Sequence, residues 1–196
     1  VISDFKVDQN DLLWVSSFGC IQLFDGQKFI DMSHLVKPGA ATGTFNFSNS
    51  KELFFLKSNI LYKFGADQYT SKTAPQVVLP PYSPGGLYCK IIFEDSQYLY
   101  ISHPNDSMYQ VDKSGLNLKH VYALSPAVHK NYNWSDIYVS AHPARYIDYI
   151  NIDNRRSRLD LESGAIRIDS TTIPFGRGAL ASGDTIVALQ DNALWV

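Results

Sequence analysis

The chain has 196 residues, with 17 Lys+Arg against 19 Asp+Glu and a formal net charge of −2. A hydrophobic fraction of 45% at so small a net charge excludes a disordered chain, which combines low hydrophobicity with high charge. The near-neutral balance lacks Lys/Arg runs and argues against a nucleic-acid partner, while apolar stretches of five to seven residues fall far short of a bilayer-spanning helix. No membrane contact is expected of this segment, and no signal peptide is visible at Val1. Cys20 and Cys89 do not make a disulfide framework; the strand-like context of each favours free thiols over a single bridge.

Tyr, Phe, Val and Ile are abundant, aromatic residues make up 13% of the chain, and no sustained apolar stripe has helical spacing. In chain order, the first group of strands is predicted at residues 2–8, 12–16, 21–24 and 28–32, with Asp25-Gly26 as a hairpin turn dipeptide. The order returns at residues 43–46, 52–57, 60–64 and 68–73, and again at 89–95, 98–102, 107–111 and 118–122. A fourth group falls at 136–140, 146–152, 157–161 and 165–170. A fifth begins at Gly178, continues through 185–190 and stops in 193–196.

Aligning the second strands places Trp14, Phe55, Tyr100, Tyr149 and Val187 at equivalent points, 41, 45, 49 and 38 residues apart. A period of about forty to fifty residues with four antiparallel strands per repeat is that of a propeller blade, with an evenly spaced β-sandwich as the alternative. The expected fold is therefore all-β, a β-propeller fragment of four to five four-stranded antiparallel blades. The blades are expected near 1–36, 42–80, 87–124, 135–171 and, incomplete, 177–196. Leu194-Trp195-Val196 is still apolar in the third strand of the fifth group, which suggests part of a longer propeller.

Residues 7–29 carry a further pattern: Asp8, Leu13-Trp14-Val15, Gly19, Phe24, Asp25-Gly26 and Phe29. This segment resembles the two-component-regulator propeller repeat. It departs from it at Asn10-Asp11, at Ser16-Ser17 and by the extra residue Cys20. Fainter echoes are Asp95 with Tyr98-Leu99-Tyr100-Ile101, and Asp191-Asn192-Ala193-Leu194-Trp195. The motif residues are architectural. The resemblance implies the periplasmic sensor region of a Bacteroidetes hybrid two-component histidine kinase. It further implies an outward-looking ectodomain of an inner-membrane protein, a polysaccharide breakdown product as ligand and a homodimer formed through the parent receptor.

No chemistry of turnover is legible. His34, His103, His120, His129 and His142 have no zinc-ligand spacing, and there is no nucleophile elbow or phosphate loop, so no metal, cofactor or catalytic residue is assigned. Acids such as Asp160/Glu162 and Glu94/Asp95 read as turn-edge residues. Binding is better supported. The loops between blades, and those joining second to third strands, open on one face of a propeller. They gather Phe18, Tyr82, His103, Asn105, His129, Tyr132, Trp134, Arg155 and Arg156. Aromatic faces stack on sugar C–H surfaces while Asn and Arg supply directional hydrogen bonds, so an oligosaccharide or other small ligand is the expected partner. The alternatives are a protein-interaction scaffold and a polysaccharide-active propeller enzyme.

Overall fold

Leu12-Leu13-Trp14-Val15 and Leu53-Phe54-Phe55-Leu56 are unbroken apolar runs, and such runs suit strands buried on both faces. In a computed structural model they form the second strands of two neighbouring sheets. The structure describes residues 2–17, 20–35, 45–48, 52–57, 59–64, 76–79, 89–103, 107–123, 140–142, 145–150, 155–172, 179–182, 185–190 and 193–195.

Nineteen strands are described, in five antiparallel meanders, with a single turn of 3-10 helix at Ser33–Leu35. The first sheet runs β1 (Ile2–Val7), β2 (Leu13–Ser17), β3 (Cys20–Phe24) and β4 (Phe29–Asp31). The second runs β5 (Phe45–Phe47), β6 (Leu53–Lys57), β7 (Ile60–Phe64) and β8 (Gln76–Val78). The third runs β9 (Lys90–Glu94), β10 (Tyr98–His103), β11 (Ser107–Asp112) and β12 (Leu118–Ala123). The fourth runs β13 (Ser140–His142), β14 (Tyr146–Ile150), β15 (Arg155–Asp160) and β16 (Ile166–Thr172). β17 (Ala179–Ser182), β18 (Thr185–Gln190) and β19 (Ala193–Trp195) make a three-stranded fifth sheet. The architecture is all-β and its fold is that of a β-propeller.

Two positions depart from the sequence reading. The fourth strand of the second sheet is Gln76–Val78, where Val77 and Val78 pair with Leu61 and Ile60; residues 68–73 lie outside the described residues. The first strand of the fourth sheet is Ser140–His142, and 136–139 are likewise outside. In the second sheet the β-branched pair after Pro75 fits the partner strand better than the polar stretch before it.

The chain divides into two compact units, Val1–His103 with Tyr109–His120, and Pro104–Met108 with Val121–Val196. In the first unit the sheets stack. Trp14, Ile21, Leu23, Met32 and Leu35 of the first meander pack with Phe47, Leu53, Phe55, Tyr62 and Phe64 of the second. The Trp14 and Phe64 rings stack at 5.5 Å between centroids. On the other side of the second sheet, Phe54, Leu56, Leu61 and Leu79 pack with Cys89, Ile91, Leu99, Ile101, Tyr109, Val111 and Leu116. All five residues of β6 are consequently buried. In the second unit the core residues described include Ile147 and Leu159, and Tyr122 Oη donates to the Leu161 carbonyl at 2.9 Å.

Side chains also tie adjacent first strands together. Asp4 Oδ2 accepts the Phe47 N–H at 2.8 Å, and two residues on, Lys6 Nζ donates to the Ser48 carbonyl. One acid and one base thus satisfy successive backbone groups of the neighbouring sheet, which its own ladder leaves over.

The Asp25-Gly26 turn works differently from the expected dipeptide. Gly26 alone has a positive φ, +96°, while Asp25 uses its carboxylate: Oδ1 accepts the N–H groups of Gln27 and Lys28, each at 2.9 Å. A Cβ at Gly26 meets nothing within 4 Å, so space is not the constraint. Gly26→Ala is expected to lower unfolding free energy by about 1–2 kcal/mol through the left-handed backbone alone. Urea denaturation checks this; an unchanged midpoint would remove the conformational account of the turn.

Candidate functional site

Catalysis or metal binding would require acids with oxygens to spare. Asp8 follows β1; its Oδ1 accepts the N–H groups of Asn10 (2.8 Å) and Leu12 (3.1 Å), and its Oδ2 accepts the Trp14 indole N–H at 2.9 Å. Asp95 follows β9 and repeats the device. Its Oδ1 accepts the Gln97 and Tyr98 N–H groups, both at 2.7 Å, and its Oδ2 accepts the Tyr100 hydroxyl at 3.1 Å. In each sheet the first-strand aspartate thus holds the polar atom of the aligned second-strand aromatic.

The third strands end the same way. Asp25, Asp112 and Asp160 each accept N–H groups of the turn beyond them, with Asp112 also accepting the Ser114 hydroxyl at 2.6 Å. Turn amides and neighbouring donors stabilise the ionised carboxylates, so all three sit below the ordinary aspartate range. The leading causes are the Lys28 N–H for Asp25, the Ser114 hydroxyl for Asp112 and the Arg145 guanidinium for Asp160. The turn-edge reading of Asp95 and Asp160 is therefore what the hydrogen bonds describe. In a four-stranded meander the first and third turns lie at one end of the sheet. Backbone bonds join them here, from Lys113 N to Gln97 O at 2.9 Å and from Leu161 N to Arg145 O at 2.8 Å. The capping acids gather at that end.

The lysines of the first unit are equally committed. Lys113 Nζ donates to the Asp95 carbonyl at 2.6 Å and lies 2.8 Å from Glu94 Oε2, an ion pair by distance rather than an aligned hydrogen bond. Glu94 Oε1 is buried without a hydrogen-bond partner. Lys63 pairs with Glu52 at 2.9 Å and also donates to the Lys113 carbonyl at 2.9 Å, which binds the second sheet to the third. Burial pushes the Lys6 and Lys57 ammonium groups below the ordinary lysine value. Cys20 and Cys89 are free thiols; burial raises the Cys89 thiol to about 12, so it is chemically inert. Ser16 and Ser102, at equivalent second-strand positions, each donate to a first-strand carbonyl at 3.2 Å, that of Asp4 and that of Lys90.

Of the residues predicted to form a ligand face, His103 is the last residue of β10 rather than a loop residue. It is 0% exposed and meets Tyr109 edge-on at 5.1 Å. The imidazole lies on the apolar side of its sheet because β10 runs one residue further than the turn residues Pro104-Asn105-Asp106 suggested. Arg155 and Arg156 also belong to a strand, β15, where Arg155 stands opposite Thr172 and Arg156 opposite Ile150. Phe18, Tyr82, Asn105, His129, Tyr132 and Trp134 lie outside the described residues. Among the described residues no group of three or more His, Cys, Asp or Glu could hold a metal ion. Among them, too, no helix is long and apolar enough to cross a membrane.

Sequence reasoning passed over the charged end of the fourth sheet. Arg145, in the turn before β14, binds Asp160 Oδ2 through Nε (3.3 Å) and Nη2 (3.0 Å) and approaches Glu162 at 3.3 Å. The guanidinium groups of Arg145 and Arg158 lie 5.3 and 5.5 Å from the centre of the Tyr146 ring. The alternation Arg156-Ser157-Arg158-Leu159-Asp160 was the available signal.

No protein-family model matches the chain, and no curated protein matches it. Solved structures do. BamB from Moraxella catarrhalis matches with a TM-score of 0.58 and 10% identity, over 97% of this chain and 56% of that one. The Neurospora crassa Pan2 WD40 domain matches with a TM-score of 0.56 and 17% identity, over 95% and 55%. The extracellular domain of the hybrid two-component system BT3049 from B. thetaiotaomicron matches with a TM-score of 0.58 and 13% identity, over 98% and 28%. The chain thus spans little more than half the length of the first two and about a quarter of the third. At these identities the likeness is one of fold.

The depressed aspartates set an acid limit. Each is lower in the folded than in the unfolded chain, so its contribution is complete above the unfolded value, near pH 4, and is lost as pH falls through the folded value. The melting temperature should stay level from pH 7 to about 5 and fall progressively below about 4. Asp25→Asn and Asp160→Asn should each flatten that fall. A wild-type melting temperature unchanged down to pH 2 would contradict the capping role.

Proposed function

We propose that this chain is a non-catalytic, ligand-sensing segment of a longer β-propeller, in the extracytoplasmic part of a two-component signalling receptor, and that its ligand is an oligosaccharide. The observation that carries the non-catalytic part is the commitment of the described acids. Asp8, Asp25, Asp95, Asp112 and Asp160 are bound to turn amides. Asp25, Asp112 and Asp160, held ionised by the donors around them, are poor general acids at neutral pH.

The sensor part rests on the repeat pattern of residues 7–29, and the fold match to a hybrid two-component ectodomain is consistent with it. In that reading the segment is periplasmic, and the parent chain carries the kinase and dimerises. The longer propeller is supported by the first sheet, whose Phe5, Val7 and Phe29 are 69, 54 and 52% exposed, while both faces of the second sheet are covered. The ligand residues assigned from the sequence are Tyr132, Trp134, Arg155, Arg156, His103, Asn105, Tyr82 and Phe18.

The test is calorimetry against oligosaccharides on the native receptor ectodomain, with Trp134→Ala and Arg155→Ala. Both variants should stay folded and lose about tenfold or more in affinity. Unchanged affinity in both would remove this site. Immunoblotting of the native polypeptide tests the receptor itself. A band much larger than 22.0 kDa in the inner-membrane fraction is expected, and a soluble band near the chain's own mass would overturn the assignment in favour of a scaffold.

A further inference from the structure

The two seams of the first unit share one asymmetry. Between the first and second sheets, the first contributes Trp14, Ile21, Leu23, Met32 and Leu35, none of these from β1, while the second contributes Phe47 of its own first strand, β5. Between the second and third, the second contributes Phe54, Leu56, Leu61 and Leu79, none of these from β5, while the third contributes Ile91 of its first strand, β9. The second and third sheets thus each receive the preceding sheet on the side that carries apolar first-strand residues. The first and second each cover the next sheet mainly with their second and third strands.

In the first sheet β1 alternates accordingly. Asp4 and Lys6 bind the backbone of the second sheet, and Phe5 and Val7 lie on the other side of the strand. Val7 stands opposite Leu13, Leu13 opposite Phe24 and Phe24 opposite Phe29, while Phe5 stands opposite Val15. The Phe24 and Phe29 rings meet at 5.0 Å between centroids. By its first strand this is a receiving side, yet Phe5, Val7 and Phe29 are each more than half exposed. A contiguous exposed apolar patch marks an interaction surface.

We propose that this outer side of the first sheet seats a further four-stranded antiparallel sheet of the parent polypeptide, which turns its second and third strands toward Phe5, Val7 and Phe29. The inference rests on the reading of the chain as a segment of a longer propeller. It adds the docking face, the neighbour and the side that neighbour presents. A small ligand needs polar groups among the rings to orient it, and the row Val7–Leu13–Phe24–Phe29 has none. A second sheet needs only a complementary apolar side, as in the two seams already formed.

The test labels the native polypeptide with a maleimide at Val7→Cys, with Gln27→Cys in the exposed turn between β3 and β4 as the reference. Uptake is read by mass spectrometry on the peptide that carries the new thiol. Both positions are exposed in this structure, so a covering neighbour is what would separate them. In the folded polypeptide Val7→Cys should react about tenfold or more slowly than Gln27→Cys, and in urea at a similar rate. Phe29→Cys, on the same row, serves if Val7→Cys fails to fold. A photocrosslinker attached at the same thiol should capture a second or third strand of the neighbouring sheet; capture of its first strand would overturn the proposed side. Similar labelling rates in the folded polypeptide would overturn the docking face and leave the longer propeller standing. Protection that disappears on dilution to monomer would overturn it in favour of a second copy. A native polypeptide no larger than 22.0 kDa would overturn both the face and the reading it rests on.

Discussion

A strand that is apolar on both faces cannot sit at the surface of a protein, and β6 is such a strand. Leu53, Phe55 and their ring partners Tyr62 and Phe64 need cover on one side, and Phe54, Leu56 and Leu61 need it on the other. Burial of side chains of this size is worth about 1.5–3 kcal/mol each, far more than any polar contact in the unit supplies. The first and third sheets are therefore held where they are by what the second must hide. A repeat whose central strands are double-faced in this way is unstable alone and stable in a stack. The polar ties then set register within the stack: Asp4 and Lys6 on the Phe47–Ser48 backbone, and Lys63 on the Lys113 carbonyl. A ridge of packed rings tolerates sliding, but a carboxylate on one N–H and an ammonium on the next carbonyl do not.

The same economy governs the aspartates. Asp8 and Asp95 serve two purposes at once, since each closes the first turn and fixes the polar atom of a buried second-strand aromatic. A buried indole N–H or phenol hydroxyl would otherwise cost about 1–3 kcal/mol of desolvation. In the second sheet the aligned residue is Phe55, with no polar atom to satisfy, and the position after the first strand is Ser48 rather than aspartate. In the first three sheets capping acid and polar aromatic come and go together. Asp8 and Asp95 are thus architectural, each serving a turn and a ring.

How much of this was legible beforehand depends on the physics of each signal. The second strands were, because a short aromatic-rich run such as Leu53-Phe54-Phe55-Leu56 favours a buried strand over a helix at that length. The turn aspartates were, since Asp before Gly, Ser or Gln at a strand end favours a capped turn. His103 was not. A histidine beside Pro-Asn-Asp reads as loop, yet the strand extends one residue further and delivers the ring to Tyr109. Arg155 and Arg156 were misplaced for a related reason: two charged residues after Asn154 suggest a turn, and only pairing with Ile150 and Thr172 makes them strand. Outer strands such as Gln76–Val78 are three residues long and take their position from a partner rather than from their own pattern.

In the fourth sheet this scheme is relaxed. Its buried side keeps the rule, with Ile147 and Leu159 in the core, although the Ser157 hydroxyl is buried there without a hydrogen-bond partner. Its other side replaces the apolar residues of β6 with Arg158, Asp160 and Tyr146. Arginine is a costly way to fill a seam between sheets, because a guanidinium removed from water must be paired on every side. It costs little on a surface that stays wet.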